Sequence, residues 1–238
     1  PFLTLEQRQE YLDLYHPDYK TGPDIKREIR VGPSKGYSIS PEIVDLLEAD
    51  PLIHPEKLDL TNPDYDVDVL VIGGGGAGSA ASIYAAKAGA KVMMVTKLRH
   101  GDANTMMAEG GIQACDKPEK DSPFYHFLDV MGGGHFVNKP SLVRRLVEDG
   151  PDAIGWLNDL GVMFDKFEDG RMKTVHGGGT SRKRMHSASD MSGAEIMRVL
   201  RDEVRNLGVP VVEFTSAVEI IKNAEGQAAG AVLFNMET

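Results

Sequence analysis

Val67-Asp68-Val69-Leu70-Val71-Ile72 leads directly into Gly73-Gly74-Gly75-Gly76-Ala77-Gly78, so an apolar run is followed at once by a glycine-rich run. The apolar run, with its β-branched residues, predicts a strand buried on both faces, as in a parallel sheet. The glycine-rich run fits the pattern G-x-G-x-x-G. Its first glycine makes a tight turn, its second lets the backbone approach a pyrophosphate, and its third lets the following helix lie close to the strand.

A helix and a second strand are predicted after the glycines. Ser79 to Ala88 is rich in alanine and ends before Gly89, and Lys91 to Thr96 is again apolar. Strand, glycine turn, helix and strand complete one βαβ unit, in which the helix amides and dipole face a bound diphosphate. The sequence therefore predicts an α/β, Rossmann-like domain with a parallel sheet that binds a dinucleotide.

The end of the second strand bears on which dinucleotide is bound. Nicotinamide-binding units have an acidic residue about 20 positions after the glycines. Here the strand ends in Val95-Thr96-Lys97, with neither Asp nor Glu, which argues against NAD. Lys97 could hold the phosphate of NADP or a flavin nucleotide, and it could equally be a solvated lysine at a strand end.

Composition excludes several classes of protein. The 238 residues carry a formal charge of -10, which argues against general nucleic-acid binding. The single cysteine, Cys115, excludes an internal disulfide and a cysteine-ligated iron-sulfur cluster within this chain. The sequence shows no apolar run long enough to span a membrane and no signal peptide. We therefore expect a cytoplasmic protein that reaches the inner face of a membrane, if at all, only through partners.

Residues 1–66 differ from the rest in having short helical stretches separated by proline- and glycine-bearing loops, and are predicted to form an extended, partly helical arm. Leu5 to Tyr15 can form a short helix, and a second helix begins at Pro41 with Ser40 as its cap. No catalytic spacing occurs in this segment, so a tether without chemistry is the favoured interpretation. The domains are therefore predicted as 1–66 and 67–238.

The loop after Lys97 ends in Ala108-Glu109-Gly110-Gly111-Ile112. Its adjacent glycines expose backbone amides and suit a flat ring lying against the main chain. Together with the βαβ unit and its Thr-Lys ending, this loop resembles the flavoprotein subunit of the succinate dehydrogenase and fumarate reductase family, to which L-aspartate oxidase also belongs. In that family the loop wraps the FAD isoalloxazine and ends in a motif similar to Ala-Gln-Gly-Gly-Ile. The resemblance extends from Val67 to Thr238 and does not include the arm.

The resemblance implies an FAD site. The residues that it assigns to the cofactor are Gly73, Gly74, Gly75, Gly76, Ala77, Gly78, Thr96, Lys97, Asn104, Thr105, Ala108, Glu109, Gly110 and Gly111. Members that attach FAD covalently have a histidine immediately before the threonine that is Thr105 here, and this chain has Asn104. An amide cannot be alkylated by the flavin methyl group, so a non-covalent FAD is expected. His100 and His126 are alternatives only in a different register, and both are predicted to be surface or loop histidines.

Further helices and strands are predicted downstream. Asp121 to Met131 predicts a helix before a turn at 132–134, and Pro140 to Asp149 and Asp152 to Leu160 predict two helices broken at Gly150-Pro151. The first of these two helices is expected to bury Leu142, Val143, Leu146 and Val147, and the second Ile154, Leu157 and Leu160. Ser192 to Glu195 has capping-box spacing, and Pro210 to Ile221 and Ala228 to Asn235 predict strands.

The sequence His176-Gly177-Gly178-Gly179 resembles the family's glycine loop, which borders the flavin and the dicarboxylate site. His176, Gly177 and Gly178 are therefore candidates to lie near the substrate. Succinate dehydrogenases typically have phenylalanine at the position of His176 and L-aspartate oxidases have glutamate, so histidine departs from both. The charge run Arg182-Lys183-Arg184 could attract a dianion or a protein partner, although most such runs are solvated faces.

The resemblance predicts hydride transfer between flavin N5 and a C4-dicarboxylate, with electrons exchanged with an iron-sulfur partner. L-aspartate oxidase is an alternative, as is an FAD electron-transfer subunit without a small-molecule substrate. The catalytic residues that the family uses are expected beyond Thr238, in the remainder of the flavoprotein or in a second chain. No metal site is predicted within these residues.

Overall fold

The computed structural model describes residues 3–15, 26–49, 53–54 and 57–237. The chain divides into two compact units, residues 1–56 and 57–238. Residues 1–2, 16–25, 50–52 and 55–56 of the predicted arm lie outside the described residues. The domain boundary at residue 66 stays a prediction.

The described residues of the first unit form two helices and one small hairpin. Its elements are α1 (Leu5–Tyr15), β1 (Arg27–Glu28), β2 (Ser38–Ile39) and α2 (Pro41–Leu47). Both predicted helices are confirmed, and Pro41 lies in the first turn of α2 with Ser40 at its N-cap. The Ser40 hydroxyl donates to Glu42 at 2.8 Å and caps no backbone amide. An ion pair of 2.6 Å between Arg27 and Asp45 links the hairpin to α2.

The second unit contains the predicted βαβ arrangement. It begins with β3 (Val69–Ile72), α3 (Gly76–Lys87) and β4 (Val92–Val95). The elements that follow are β5 (Ile112–Gln113), α4 (Pro123–Gly133), α5 (Pro140–Asp159), β6 (Met185–His186), α6 (Ser192–Asn206), β7 (Val211–Val212), β8 (Thr215–Lys222) and β9 (Ala228–Asn235).

A three-stranded parallel sheet organises this unit. Its strand order is β3-β4-β7, with Val69 opposite Val92 and Val95 opposite Val212. Two antiparallel pairs, β5 with β6 and β8 with β9, complete the described strands. The α/β class and the parallel sheet are confirmed. Among the described residues, no helix combines the length and the apolar character needed to cross a bilayer.

The main core lies between this sheet and its helices. Met94 of β4, Ile83 of α3 and Met197 of α6 are fully buried in it, together with Ile154 and Leu157 of α5. Trp156 packs against the edge of this core, with its ring centroid 5.3 Å from that of Tyr84. A second, smaller core forms where Val143 and Val147 of α5 meet Met131 of α4.

The predicted break at Gly150-Pro151 is wrong, since α5 continues through Pro151 as one helix. Proline removes one backbone donor and usually breaks a helix interior. Here Val143, Val147, Ile154 and Leu157 recur at helical spacing on both sides of Pro151, and all four are buried. One apolar stripe therefore holds the two halves together.

Two other predicted details of the helices are wrong. Leu142 and Leu146 are 65% and 55% exposed, because the buried stripe of α5 runs along the adjacent Val143 and Val147. The predicted turn at 132–134 begins later, since α4 continues to Gly133.

The capping box predicted at α6 is also absent. Met191 is the N-cap of this helix. The hydroxyl of Ser192 instead accepts from the Ala188 amide at 3.0 Å, and Glu195 accepts from the Met163 amide at 2.9 Å. These two side chains therefore bind loops that pack on α6, and not its own first turn.

The predicted strand from Pro210 to Ile221 is divided into β7 and β8. Phe214, between them, has a φ of +48°. A non-glycine residue with this φ departs from strand geometry. The chain therefore leaves the parallel sheet at this point and enters the β8-β9 hairpin, whose strands are joined by a turn at 223–226.

Candidate functional site

The glycine turn between β3 and α3 is closely packed. A Cβ atom built on Gly78 would lie 1.8 Å from the carbonyl oxygen of Gly73, so the third glycine allows the helix to approach the strand as predicted. Gly73 itself has a φ of +111°, which favours glycine. A Cβ atom on Gly74 would lie 3.0 Å from Oγ1 of the buried Thr96. Thr96 thus packs beneath the turn, whereas Lys97 is exposed.

The N-terminus of α3 faces the loop that follows β4. Cβ atoms on Gly75 and Gly76 would point at Ala103 and Thr105, with nearest separations of 3.2 and 3.1 Å. The Gly76 amide donates to Oγ1 of Thr105 at 3.1 Å. Within the described part of the chain, the amides of Gly75 and Ala77 have no acceptor. The helix end therefore offers free amide donors with no side chains of its own beside them, which suits an anion such as a diphosphate.

The same loop also contacts the N-terminus of α6. The Gly193 amide donates to the carbonyl oxygen of Ala108 at 2.7 Å. A Cβ atom on Gly193 would lie 1.9 Å from the carbonyl oxygen of Thr105, so only glycine permits this contact. The loop thus joins the N-termini of two helices, and Asn104 within it is exposed.

The end of the loop is held by the β5-β6 pair. Gly111 has a φ of +131°, and a Cβ atom on it would lie 2.2 Å from the carbonyl oxygen of His186. Ile112, next in the chain, pairs with His186 across the two strands. Ala108, Glu109 and Gly110 are exposed. The amide and carbonyl of Ala108 are already bonded to Thr105 and Gly193, so the backbone accessible to a flat ligand is that of Glu109 and Gly110.

Two histidines predicted to be surface or loop residues are buried. His100 lies in the loop after β4, as one of those alternatives has it, whereas His126 lies in α4. His100 and His126 are each 2% exposed. Nε2 of His100 lies 2.9 Å from the hydroxyl of Ser79. The backbone amide of His100 donates to the carboxylate of Glu213 at 2.8 Å. Burial lowers the pKa of His100, and positive charge on Arg201 and Arg205 lowers it further. Burial also lowers the pKa of His126.

A carboxylate and a histidine lie behind the Gly110-Gly111 backbone. Nε2 of the fully buried His186 is 3.0 Å from Oδ2 of Asp116, close enough for an ion pair although not aligned as a hydrogen bond. Lys117 Nζ donates to both Asp116 oxygens, at 2.9 and 3.1 Å. Burial alone would raise the pKa of Asp116, but His186 and Lys117 outweigh it and lower that pKa to about 2.

The second glycine loop lies at the tip of a hairpin. Val175 forms a β-bridge with Met185, and residues 176–184 connect them. A Cβ atom on Gly177 would lie 2.8 Å from Nε2 of Gln113, which follows the Gly110-Gly111 segment in the chain. His176 and Gly178 are exposed. The structure thus brings the predicted substrate-end loop next to the strand that follows the predicted flavin loop.

The charge run that follows this loop is not a uniform solvated face. The Arg184 side chain is 1% exposed and forms two hydrogen bonds to Asp121, at 2.6 and 2.9 Å, and one to Asp129. It is therefore unavailable to an external dianion or partner, and that part of the prediction is wrong. Arg182 places its guanidinium 4.6 Å from the ring centroid of Tyr125. Lys183 is exposed.

Sequence reasoning missed two of these groups. The Ser79–His100 pair joins residues of different elements, and its only signal is the polar Ser79 in an alanine-rich helix. The Arg184–Asp121–Asp129 cluster has a partial signal, because two aspartates eight positions apart lie on one side of a helical segment. Nothing in the sequence indicates that Arg184 is their partner.

Comparison with known proteins gives a consistent result. The family described as "FAD binding domain" matches residues 68–238. The chain is 37% identical over 170 residues to an L-aspartate oxidase of Streptomyces coelicolor, a match covering 71% of this chain and 29% of the relative. It is 36% identical over 172 residues to a CoM/CoB fumarate reductase chain of Methanothermobacter marburgensis, covering 71% of this chain and 31% of the relative.

Solved structures agree with these relatives. Sdh1 of Mycobacterium smegmatis, in complex with UQ1, superposes with a TM-score of 0.67 at 36% identity, covering 73% of this chain and 31% of that one. A variant FrdA of E. coli quinol fumarate reductase gives a TM-score of 0.68 at 27% identity, covering 72% and 30%. The chain thus spans about three tenths of the length of the proteins it matches. From residue 68 onward, this chain belongs to the FAD-binding family that includes the L-aspartate oxidases and the flavoprotein subunits of fumarate reductase and succinate dehydrogenase.

Proposed function

We propose that the intact protein is an FAD-dependent oxidoreductase of succinate dehydrogenase and fumarate reductase type. It transfers a hydride between flavin N5 and a C4-dicarboxylate. The observation that carries this proposal is the glycine-lined N-terminus of α3, here called the diphosphate cradle, whose Gly75 and Ala77 amides have no acceptor in the described residues and which lies beside Thr105 in a chain of this FAD-binding family. FAD, when bound, supplies the hydride acceptor and donor that no side chain provides.

The arrangement of the described residues supports a division of the FAD site into two parts. The diphosphate would be held by the amides from Gly74 to Gly78 and by Thr105, whose hydroxyl already lies beside the Gly76 amide at 3.1 Å. Thr96 and Lys97, at the end of β4, would lie at the nucleotide end. Ala108, Glu109, Gly110 and Gly111 would contact the isoalloxazine through the backbone that β6 holds in place.

The flavin is proposed to be dissociable, since Asn104 replaces the histidine used for covalent attachment. Acid precipitation of the purified protein tests this directly. We expect all the yellow colour in the supernatant, with the absorbance of free FAD. Colour retained in the pellet after washing would show a covalent flavin.

His176 is proposed to lie at the dicarboxylate end and to influence substrate choice without donating the essential proton. Its exposure and the contact of Gly177 with Gln113 support this placement. An imidazole N–H can donate a hydrogen bond to a carboxylate. His176→Phe should change mainly the KM for dicarboxylates. Unchanged kinetics with succinate, fumarate and aspartate would exclude His176 from the site.

L-aspartate oxidase is the second candidate, favoured by the 37% identity to one such enzyme. Glutamate at position 176 would suit the amino group of aspartate, and histidine does not. An FAD electron-transfer subunit without a small substrate is a third possibility. Steady-state assays of the intact protein with succinate, fumarate and L-aspartate separate the three. We expect activity with succinate or fumarate and none with aspartate.

The electron partner is proposed to be an iron-sulfur protein, as the family resemblance implies, and Cys115, the one cysteine in these 238 residues, cannot ligate a cluster alone. A cytoplasmic location, with any membrane attachment through partners, is part of the same proposal. Affinity purification of the intact protein from its own cells, followed by iron and sulfide analysis, tests it. Recovery of the flavoprotein without iron would contradict it.

A further inference from the structure

We propose that Asp129 of α4 is a positioning residue for the substrate end of the site. Through Ser181, it holds the loop that carries His176, Gly177 and Gly178 against β5. This proposal rests on the proposed function, because that function assigns the loop to the dicarboxylate end.

Asp129 is bound to the loop by two hydrogen bonds. Its Oδ2 atom accepts from the amide of Ser181 at 2.8 Å and from the hydroxyl of Ser181 at 2.9 Å. The same oxygen accepts from Nη1 of Arg184. One carboxylate oxygen on a helix therefore fixes both the backbone and the side chain of a loop residue 52 positions away.

The loop has other attachments besides this contact. Val175 and Met185 bridge its base, and Thr180 bonds only within the loop, accepting from and donating to Gly177 at 3.0 Å. The side chains of Arg182 and Arg184 also contact α4. Ser181 is thus the residue through which the backbone of the loop is bonded to α4.

The charges around Asp129 favour its ionised form. Burial would raise the pKa of Asp129, but the hydrogen bonds from Arg184 and then Ser181 lower it below the ordinary value. Arg184 also forms two hydrogen bonds to Asp121. Neutralising Asp129 therefore leaves the buried arginine paired with Asp121, so the protein should still fold.

The test compares Asp129→Asn with Asp149→Asn in the intact, FAD-loaded protein. Asp149 lies on α5 and is 60% exposed, with an ion pair of 3.3 Å to Arg145, so its variant controls for loss of an aspartate charge. Ser181→Ala is a second variant that removes one hydrogen bond of the contact. Three quantities are measured: FAD content, KM and kcat for succinate and fumarate, and the rate of tryptic cleavage after the exposed Lys183.

For Asp129→Asn we expect about a tenfold rise in KM, kcat within about twofold of the parent, normal FAD content and faster cleavage after Lys183. Ser181→Ala should show the same changes to a smaller extent, and Asp149→Asn none. A purely structural role would instead lower FAD content and kcat together, and that result overturns the proposal. An unchanged KM in an active Asp129→Asn protein also overturns it. If the parent protein neither binds nor converts dicarboxylates, the proposed function itself is wrong and this role falls with it.

Discussion

The two glycine runs of this chain look alike in sequence but differ in what the fold requires of them. In the turn from Gly73 to Gly78, a Cβ atom on the last glycine would lie 1.8 Å from a carbonyl oxygen. In the loop from Gly177 to Gly179, Cβ atoms on Gly178 and Gly179 would contact nothing within 4 Å. Close packing requires glycine in the first run. In the second run the fold requires glycine at only some of the three positions.

This difference separates glycines that are required by helix–strand packing from glycines that leave a loop backbone exposed. Where a helix must approach a strand, glycine is required whatever the ligand. Where a loop faces solvent and a neighbouring strand, glycine adds no side chain and leaves the backbone a wider range of conformations. Four substitutions test this comparison, in order of decreasing expected effect.

Gly78→Ala should have the largest effect. The added methyl group must displace α3 from β3, which we expect to cost about 3 kcal/mol of unfolding free energy or to prevent folding. Gly178→Ala is the matched control and should lie within about 0.5 kcal/mol of the parent. Urea denaturation followed by circular dichroism measures both. Equal stabilities of the two variants would remove the distinction between the two glycine runs.

Gly75→Val should fold but lose its flavin. The Gly75 φ of -83° is open to any residue, and the nearest atom to a Cβ there is Ala103 Cβ at 3.2 Å, so the backbone tolerates a side chain after a small shift. The side chain would fill the diphosphate cradle, and we expect FAD affinity to fall about a hundredfold. Flavin fluorescence titration of the apoprotein measures the Kd. A soluble variant with normal FAD affinity would place the diphosphate elsewhere.

Asp116→Asn probes the β5-β6 ladder that lies between the two runs. Because its folded-state pKa is depressed to about 2, ionised Asp116 contributes stability above its unfolded pKa near 4, and this contribution is lost as pH falls toward 2. At pH 7 the variant should lose about 2 kcal/mol. The difference from the parent should shrink between about pH 4 and pH 2. Asp152→Asn, at an exposed position, is the control, and a loss that does not vary with pH would exclude the ionic contribution.

Gly179→Ala should have the smallest measurable effect. Its φ of +75° disfavours a side chain, although nothing lies within 4 Å, so backbone strain of about 1 kcal/mol is expected. Gly178→Ala again serves as control, since its backbone carries no such strain. Thermal unfolding of both variants resolves the difference, and identical melting temperatures would mean that the loop relaxes freely.

Features that depend on residues close together in the chain could be predicted from the sequence. The βαβ unit follows from an apolar run, a glycine pattern and a second apolar run within 30 residues, and β3, α3 and β4 confirm it. The motif of the loop from Asn104 to Gly111 assigns it to the flavin, and the structure shows it joining two helix N-termini. Its role in holding FAD remains a prediction.

Features set by distant contacts could not be predicted. Arg184 is buried because Asp121, just before α4, and Asp129, within it, both bind its guanidinium, and no spacing in the sequence relates Arg184 to them. The break predicted at Pro151 follows from local propensity, which a continuous buried stripe overrides. The burial of His100, in the loop after β4, and of His126, in α4, could not be predicted for the same reason, since only tertiary packing produces it.

The uninterrupted α5 helix has a consequence for how the molecule opens. Its first half packs on α4 through Val143 and Val147, and its second half packs on the parallel sheet through Ile154 and Leu157. At the junction, Pro151 lacks an amide hydrogen, so the helix lacks one of its backbone hydrogen bonds there. Local unfolding should therefore release the α4 side at a lower free energy than the sheet side. In native-state hydrogen exchange, the amides of residues 143–148 should exchange as one group well before those of residues 154–158.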